Sequence, residues 1–302
     1  MLRALFVSSR PLSWVNTAYP FAAAYLLAYG AVDVTFVIGV LYFLIPYNLA
    51  MYGINDVFDY ESDLRNPRKG GVEGALLTPR HHRATLIAAA VANVPFLALL
   101  VLLGDLPGWI ALAVSVFAVI AYSAPVLRFK ERPFLDSITS ATHFVSPAVV
   151  GLLYGGASFS TAVIAALAAF FLWGMASHAF GAVQDVISDR EAGIGSIATV
   201  IGARATARLS VVLYLVAGVL LLVTRWPGPL AAVLVLPYAI SCSAYWNVTD
   251  ATSESANRGW KRFLWLNFVT GFLVTLLLIW FALTPLPVDI VDGPIPIPSS
   301  KT

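Results

Sequence analysis

The chain has 302 residues, of which 59% are hydrophobic and only 11% charged, with a mean hydropathy of +0.83 and a formal net charge of +2. A soluble globular domain carries about 25% charged residues, so this chain has too few charges to coat a wetted surface. A soluble enzyme, a disordered regulator and a nucleic-acid-binding protein are thereby excluded.

In chain order, nine apolar runs reach bilayer-crossing length, which is about 20 residues. They lie near 12–30, 34–54, 84–103, 107–124, 137–156, 160–182, 207–224, 228–246 and 263–283. Backbone groups inside lipid must be satisfied within each segment, so these runs are predicted as helices, and the alternating pattern of a membrane barrel is missing. Pro125, Pro133 and Pro147 punctuate the fourth and fifth runs. Arg3 and Arg10 lead into the first run, which reads as a retained helix rather than a cleavable signal. The expected fold is all-α and polytopic. Cys242 is the single cysteine, so no intrachain disulfide forms and the compartment stays open.

Charge placement supports this count. With nine crossings, every Lys and Arg except Arg225 and Lys301 falls on the side of the N-terminus and of the loops after spans two, four, six and eight. The positive-inside rule puts that side in the cytoplasm of a multi-pass cell-membrane protein. The loops after spans two and six are long, so the functional surface is expected there. Residues 1–283 read as one intramembrane domain. Residues 284–302, with proline at 285, 287, 294, 296 and 298, read as an extended extracytoplasmic tail.

The second span runs into Asn55-Asp56-Val57-Phe58-Asp59-Tyr60-Glu61-Ser62-Asp63, and the sixth into Gln184-Asp185-Val186-Ile187-Ser188-Asp189-Arg190-Glu191. On one helix, Asp56, Asp59 and Asp63 fall within roughly 60° of one another. Asn55 and Asp59 are neighbours, and so are Asp185 and Asp189. Stacked carboxylates near lipid repel, and a proton or a cation relieves them. Hard oxygen donors on two helix ends suit Mg²⁺, which shares its coordination with substrate phosphates, and two such ions could clamp a diphosphate leaving group. A solvated loop explains Glu61, Glu191, Asp250 and Glu254 but explains the clustered aspartates poorly.

Arg65, Arg68 and Lys69 follow the first cluster, and Arg128 and Lys130 follow span four. Arginine forks match phosphate oxygens and lysine adds a point charge. Topology alone accounts for Arg80, Arg83, Arg204, Arg208, Arg258, Lys261 and Arg262.

Three motifs stand in order: Asn55-Asp56-x-x-Asp59-x-x-x-Asp63, Tyr122-Ser123-x-Pro125-x-x-Arg128-x-Lys130, and Asp185-x-x-x-Asp189 followed by Gly193-Ile194-x-Ser196. Together they resemble the UbiA-type intramembrane prenyltransferases, over roughly residues 8–283. The resemblance implies nine membrane helices around a central cavity and a prenyl diphosphate bound through Mg²⁺. By position, Asn55, Asp56, Asp59, Asp63, Asp185 and Asp189 would serve the metal, with Asp59 and Asp185 essential to catalysis. Arg68, Lys69, Arg128 and Lys130 would hold the diphosphate, and Arg10 matches a commonly basic position. Quinone-making members often carry Lys where Gly195 stands here. The stretch from Ser177 to Ile194 is similar to the lycopene elongase branch, whose members join C5 dimethylallyl units to lycopene on the way to C45 and C50 carotenoids. Aromatic quinone precursors and glycerol lipids are the alternative acceptors, entering like lycopene from the membrane lipid. A transporter is the remaining alternative, although transporters hold their charges near the midplane. A CDP-alcohol phosphotransferase is discounted because its Asp-Gly-x-x-Ala-Arg signature is missing.

His143 and His178 lie in apolar spans, where a hydrogen-bonded core role is the plainer expectation and a cavity role for His178 the sharper one. Gly151, Gly155 and Gly156 are expected at close helix contacts.

Overall fold

The computed structural model describes residues 1–64 and 76–284, and these are helical throughout apart from turns and connections. The expectations for Arg65, Arg68, Lys69, the side chain of Asp63 and the tail from Pro285 onward lie outside the described residues. The helices are α1 (Leu2–Ser8), α2 (Val15–Tyr29), α3 (Val34–Leu44), α4 (Pro46–Phe58), α5 (Tyr60–Asp63), α6 (His82–Leu103) and α7 (Leu106–Ser123). They continue with α8 (Leu135–Tyr154), α9 (Thr161–Val183), α10 (Val186–Glu191), α11 (Ile197–Leu221), α12 (Leu236–Ser243) and α13 (Asn257–Leu283).

Each predicted run coincides with helical backbone. Among the described residues, six segments are long and apolar enough to cross a bilayer: Val34–Phe58, Pro79–Leu103, Leu106–Ser123, Thr161–Val183, Ile197–Leu221 and Asp250–Leu283. The other three predicted runs map to α2, which has 15 residues, to α8, and to the Gly228–Ser243 segment. Helix α8 is diluted by Asp136, Ser137, Thr139, His143 and Ser146, all buried inside the protein instead of facing lipid. Pro46 splits the second run into α3 and α4, because its ring removes a donor and suits the first turn of a new helix.

Side-chain caps start the helices on the face opposite the acidic motifs. Asp33 accepts from the Phe36 N–H (2.8 Å), Asp105 from the Gly108 N–H (3.1 Å), and Ser160 from the Val163 N–H (3.3 Å). Each satisfies an orphan donor at a helix N-terminus. Asp33 and Asp105 therefore have structural employment.

Two aromatic cores divide the molecule. One packs Phe21, Tyr25, Tyr42, Phe43, Tyr47 and Leu112 from α2, α3, α4 and α7. The other packs Phe180, Ala207, Tyr214, Tyr238 and Phe263 from α9, α11, α12 and α13. They meet along α8 and α9, where a Cβ on Gly174 would stand 3.1 Å from that of Ala141. A Cβ on Gly151 would lie 2.5 Å from the Phe21 carbonyl, so its bare backbone lets α8 approach α2. A Cβ on Gly155 would likewise press on Ala28. Gly156 departs from the expectation. It has φ +77° and open space around it, so it turns the chain after α8 and makes no helix contact. Outward-facing Val91, Leu102, Ile240 and Phe268 are exposed, as a lipid-facing exterior requires.

Candidate active site

A cavity of about 3010 Å³ is lined by both halves. Asn55, Asp59, Arg10, Arg128 and Lys130 reach it from the first half, and Gln184, Asp185 and Asp189 from the second. The two acidic motifs thus open onto one chamber.

The first motif does not lie on an uninterrupted helix. Helix α4 ends at Phe58, Asp59 takes φ −99° and ψ −3°, and α5 begins at Tyr60. Asn55 Nδ2 donates to Asp59 Oδ2 (2.7 Å) and to Ser123 Oγ (3.0 Å), tying the helix end to α7. Lys130 forms an ion pair with Asp59 Oδ1, and Arg128 lies 3.8 Å from the same oxygen. Glu131 pairs with Arg128 and holds its guanidinium even more firmly protonated than usual. Sequence reasoning passed over Glu131; its signal was a carboxylate three residues after Arg128 in a loop otherwise cationic.

Asp56 is set back from the cavity, with 1% of its surface exposed. Its oxygens accept from Arg10 (2.9 Å) and from Ser8 Oγ (2.7 Å). Arg10, with φ +50°, also lies 4.3 Å from the centre of the Tyr52 ring. The structure therefore places Asp56 in a clamp between α1 and α4, with Arg10 shared between that clamp and the cavity wall.

In the second motif, α9 ends at Val183 and Asp185 precedes α10. The Asp189 N–H donates to the Asp185 carbonyl (2.8 Å), so the two aspartates stand one helical turn apart, as their spacing predicts. Arg190 turns away, donating to the Thr199 carbonyl (2.9 Å) and to Asp250 (2.6 Å), a structural role. Gly195 packs on the loop of the first half: a Cβ there would sit 2.5 Å from the Glu131 carbonyl. A lysine at this position would displace the loop that carries Arg128 and Lys130.

Among the described residues, no three His, Cys, Asp or Glu side chains gather into a ready-made metal cluster. The donor set still fits Mg²⁺. Carboxylate and amide oxygens approach one chamber from two sides, and Mg²⁺ is usually held by one or two carboxylates, with waters and phosphate oxygens filling the rest.

His143 and His178 both line the cavity, together with Tyr122, Phe144, Phe170 and Trp173. His143, 4% exposed, keeps the buried character expected of a core histidine, and His178, hydrogen-bonded at both ring nitrogens, also takes the cavity position that was the sharper expectation for it.

An all-helical membrane chamber with acidic motifs from two halves defines an intramembrane prenyltransferase, and residues 17–269 match the model of the UbiA prenyltransferase family. The chain belongs to that family. It is 58% identical over 280 residues to a Corynebacterium glutamicum protein named "Lycopene elongase/hydratase", covering 92% of this chain and 97% of that one. It is 60% identical over 284 residues to "C(50) beta-cyclic carotenoids biosynthesis protein LbtBC" of Dietzia sp. (strain CQ4), covering 94% of this chain and 66% of that one. The fold is similar to that of a UbiA homolog from Archaeoglobus fulgidus bound to GPP and Mg²⁺, with TM-score 0.65, 20% identity, and coverage of 88% of this chain and 99% of that one.

Proposed function

We propose that this prenyltransferase moves a dimethylallyl group from its diphosphate to lycopene, as a lycopene elongase of C50 carotenoid biosynthesis. The observation that carries the reading is near full-length similarity, at 58% identity, to a protein named as a lycopene elongase. The chamber supports it, because one wall offers acids and cations while the remainder is aromatic and aliphatic.

Arg128, Lys130 and Arg10 would bind the diphosphate oxygens, with Arg68 and Lys69, a few positions further along the sequence from α5, joining them. Asp59, Asp185, Asp189, Asn55 and Asp63 would hold Mg²⁺, with Asp56 supporting Arg10 from behind. Bound there, Mg²⁺ would neutralise the charge that develops on the departing diphosphate. Phe144, Phe170 and Trp173 would exclude water and offer aromatic faces to the allylic cation. In this reading the chain crosses the membrane nine times, with its N-terminus and acidic motifs cytoplasmic, the tail outside, and lycopene arriving through the lipid.

Expression in a lycopene-accumulating host tests the proposal. The wild-type chain is expected to convert lycopene into C45 and C50 carotenoids, and the Asp185→Ala variant to leave lycopene unchanged. Prenylation of a quinone precursor or a glycerol lipid alone would overturn the choice of acceptor.

A further inference from the structure

A histidine joins three helices at the cavity wall. His178 of α9 has Nε2 3.1 Å from the Tyr122 hydroxyl of α7, and Nδ1 3.1 Å from the Ser137 hydroxyl of α8. Tyr122 and His178 both line the cavity, while Ser137 is fully buried behind them. A neutral imidazole with partners at both nitrogens donates at one and accepts at the other. The three groups therefore form a wire along which a proton can move.

The surroundings favour its use. Asp136, beside Ser137, is fully buried, and its carboxylate accepts from the N–H groups of Ser137 (2.7 Å) and Ile197 (2.8 Å). It holds a buried carboxyl group, fixed by those two N–H groups, next to the Ser137 end of the wire. His143 packs edge-on against Tyr122, with ring centres 5.1 Å apart, and steadies the phenol. The residue after Tyr122 is Ser123, the hydroxyl that receives Asn55 of the first acidic motif. The phenol thus stands at the boundary between the charged mouth and the apolar chamber, where a reacting carbon would lie.

We propose that Tyr122 and His178 take up the proton released when the product cation is quenched, an inference that rests on the prenyl transfer proposed above. Attack by an acceptor double bond on the allylic cation forms one C–C bond and leaves positive charge on an acceptor carbon. Quenching then releases one proton. It comes from a neighbouring C–H, whose electron pair becomes a new C=C bond, or from a water whose oxygen bonds the cationic carbon. The proton goes to Tyr122 Oη while the phenol's own proton passes to His178 Nε2. The imidazolium so formed keeps its Nδ1–H on Ser137 and lies close to Asp136. Water removes the extra proton after product leaves.

The test uses membranes holding the full chain, lycopene and dimethylallyl diphosphate, and measures prenylated carotenoid formed per diphosphate released. The wild-type ratio is expected near one. Tyr122→Phe and His178→Ala are expected to lower it by roughly tenfold or more, the missing prenyl groups appearing as alcohol. Imidazole should restore His178→Ala, whereas 1,2,4-triazole, of the same shape but a far weaker base, should not. An added oxygen in the wild-type product marks water as the proton source, and its absence marks C–H. Unchanged ratios in both variants, or equal rescue by triazole, would overturn the relay. A wild-type chain that forms no prenylated carotenoid would overturn the choice of acceptor, and the relay with it.

Discussion

Lys130 rests on the carboxylate of Asp59, an ion pair that joins the loop after α7 to the break between α4 and α5 at the cavity mouth. The side chains of both are mostly buried, with 14% and 6% exposed. In such a setting a cation is held by its partner and is already positioned for an arriving anion. Replacing Lys130 with Ala is expected to lower kcat/KM for the prenyl diphosphate by about a hundredfold, on the scale of losing one preorganised charge contact. Steady-state kinetics on purified membranes check this.

Asp59 and Asp185 come from different halves of the chain and open onto one chamber. Asp59→Ala and Asp185→Ala are each expected to reduce diphosphate release by about a thousandfold or more, while the protein still inserts into membranes. Chelation of divalent ions should stop turnover of the wild-type chain, and Mg²⁺ should restore it. Diphosphate assays on membranes with equal amounts of immunodetected protein measure both effects.

Asp56 is expected to behave differently from its neighbours. Removing the buried carboxylate takes away the shared acceptor of the part-buried Arg10 and of the Ser8 hydroxyl, so Asp56→Ala should destabilise the fold by about 1–3 kcal/mol. Thermal denaturation in detergent should show a lowered Tm, with Asp56→Asn retaining part of the stability through its bond to Ser8.

The helices were legible because lipid demands long apolar runs, and the acidic motifs because seven of sixteen acids stand in two short stretches. The break at Asp59 was not. Asn55 bonds locally to Asp59 there, but its second bond, to Ser123, joins residues far apart in the chain and leaves no local pattern. The division of labour between Asp56 and Asp59 was equally hidden, since it turns on Ser8 and Arg10 from α1 and the turn after it. Glycines 151 and 156 look alike in sequence, yet one admits a neighbouring backbone and the other supplies a positive φ. The pairing of His178 with Tyr122 and Ser137 joins three helices and leaves no local pattern.

Gly195 offers a prediction about packing. Its missing side chain lets the segment after α10 seat on the Glu131 carbonyl. Gly195→Lys should push that loop outward at a cost of about 1–3 kcal/mol, and move Arg128 and Lys130 with it. The expected outcome is an inserted protein whose kcat/KM falls about tenfold. A parallel Gly195→Ala variant should show a smaller loss in the same assay.

The seam where Gly174 meets Ala141 has a consequence for the breadth of the chamber. Neither aromatic nucleus depends on that line for its own cohesion, so the seam acts as a spacer more than as glue. Gly174 itself lines the cavity, so bulk added there would meet Ala141 across the seam and also alter the chamber wall. Two of the smallest residues thus set how closely the two halves approach each other.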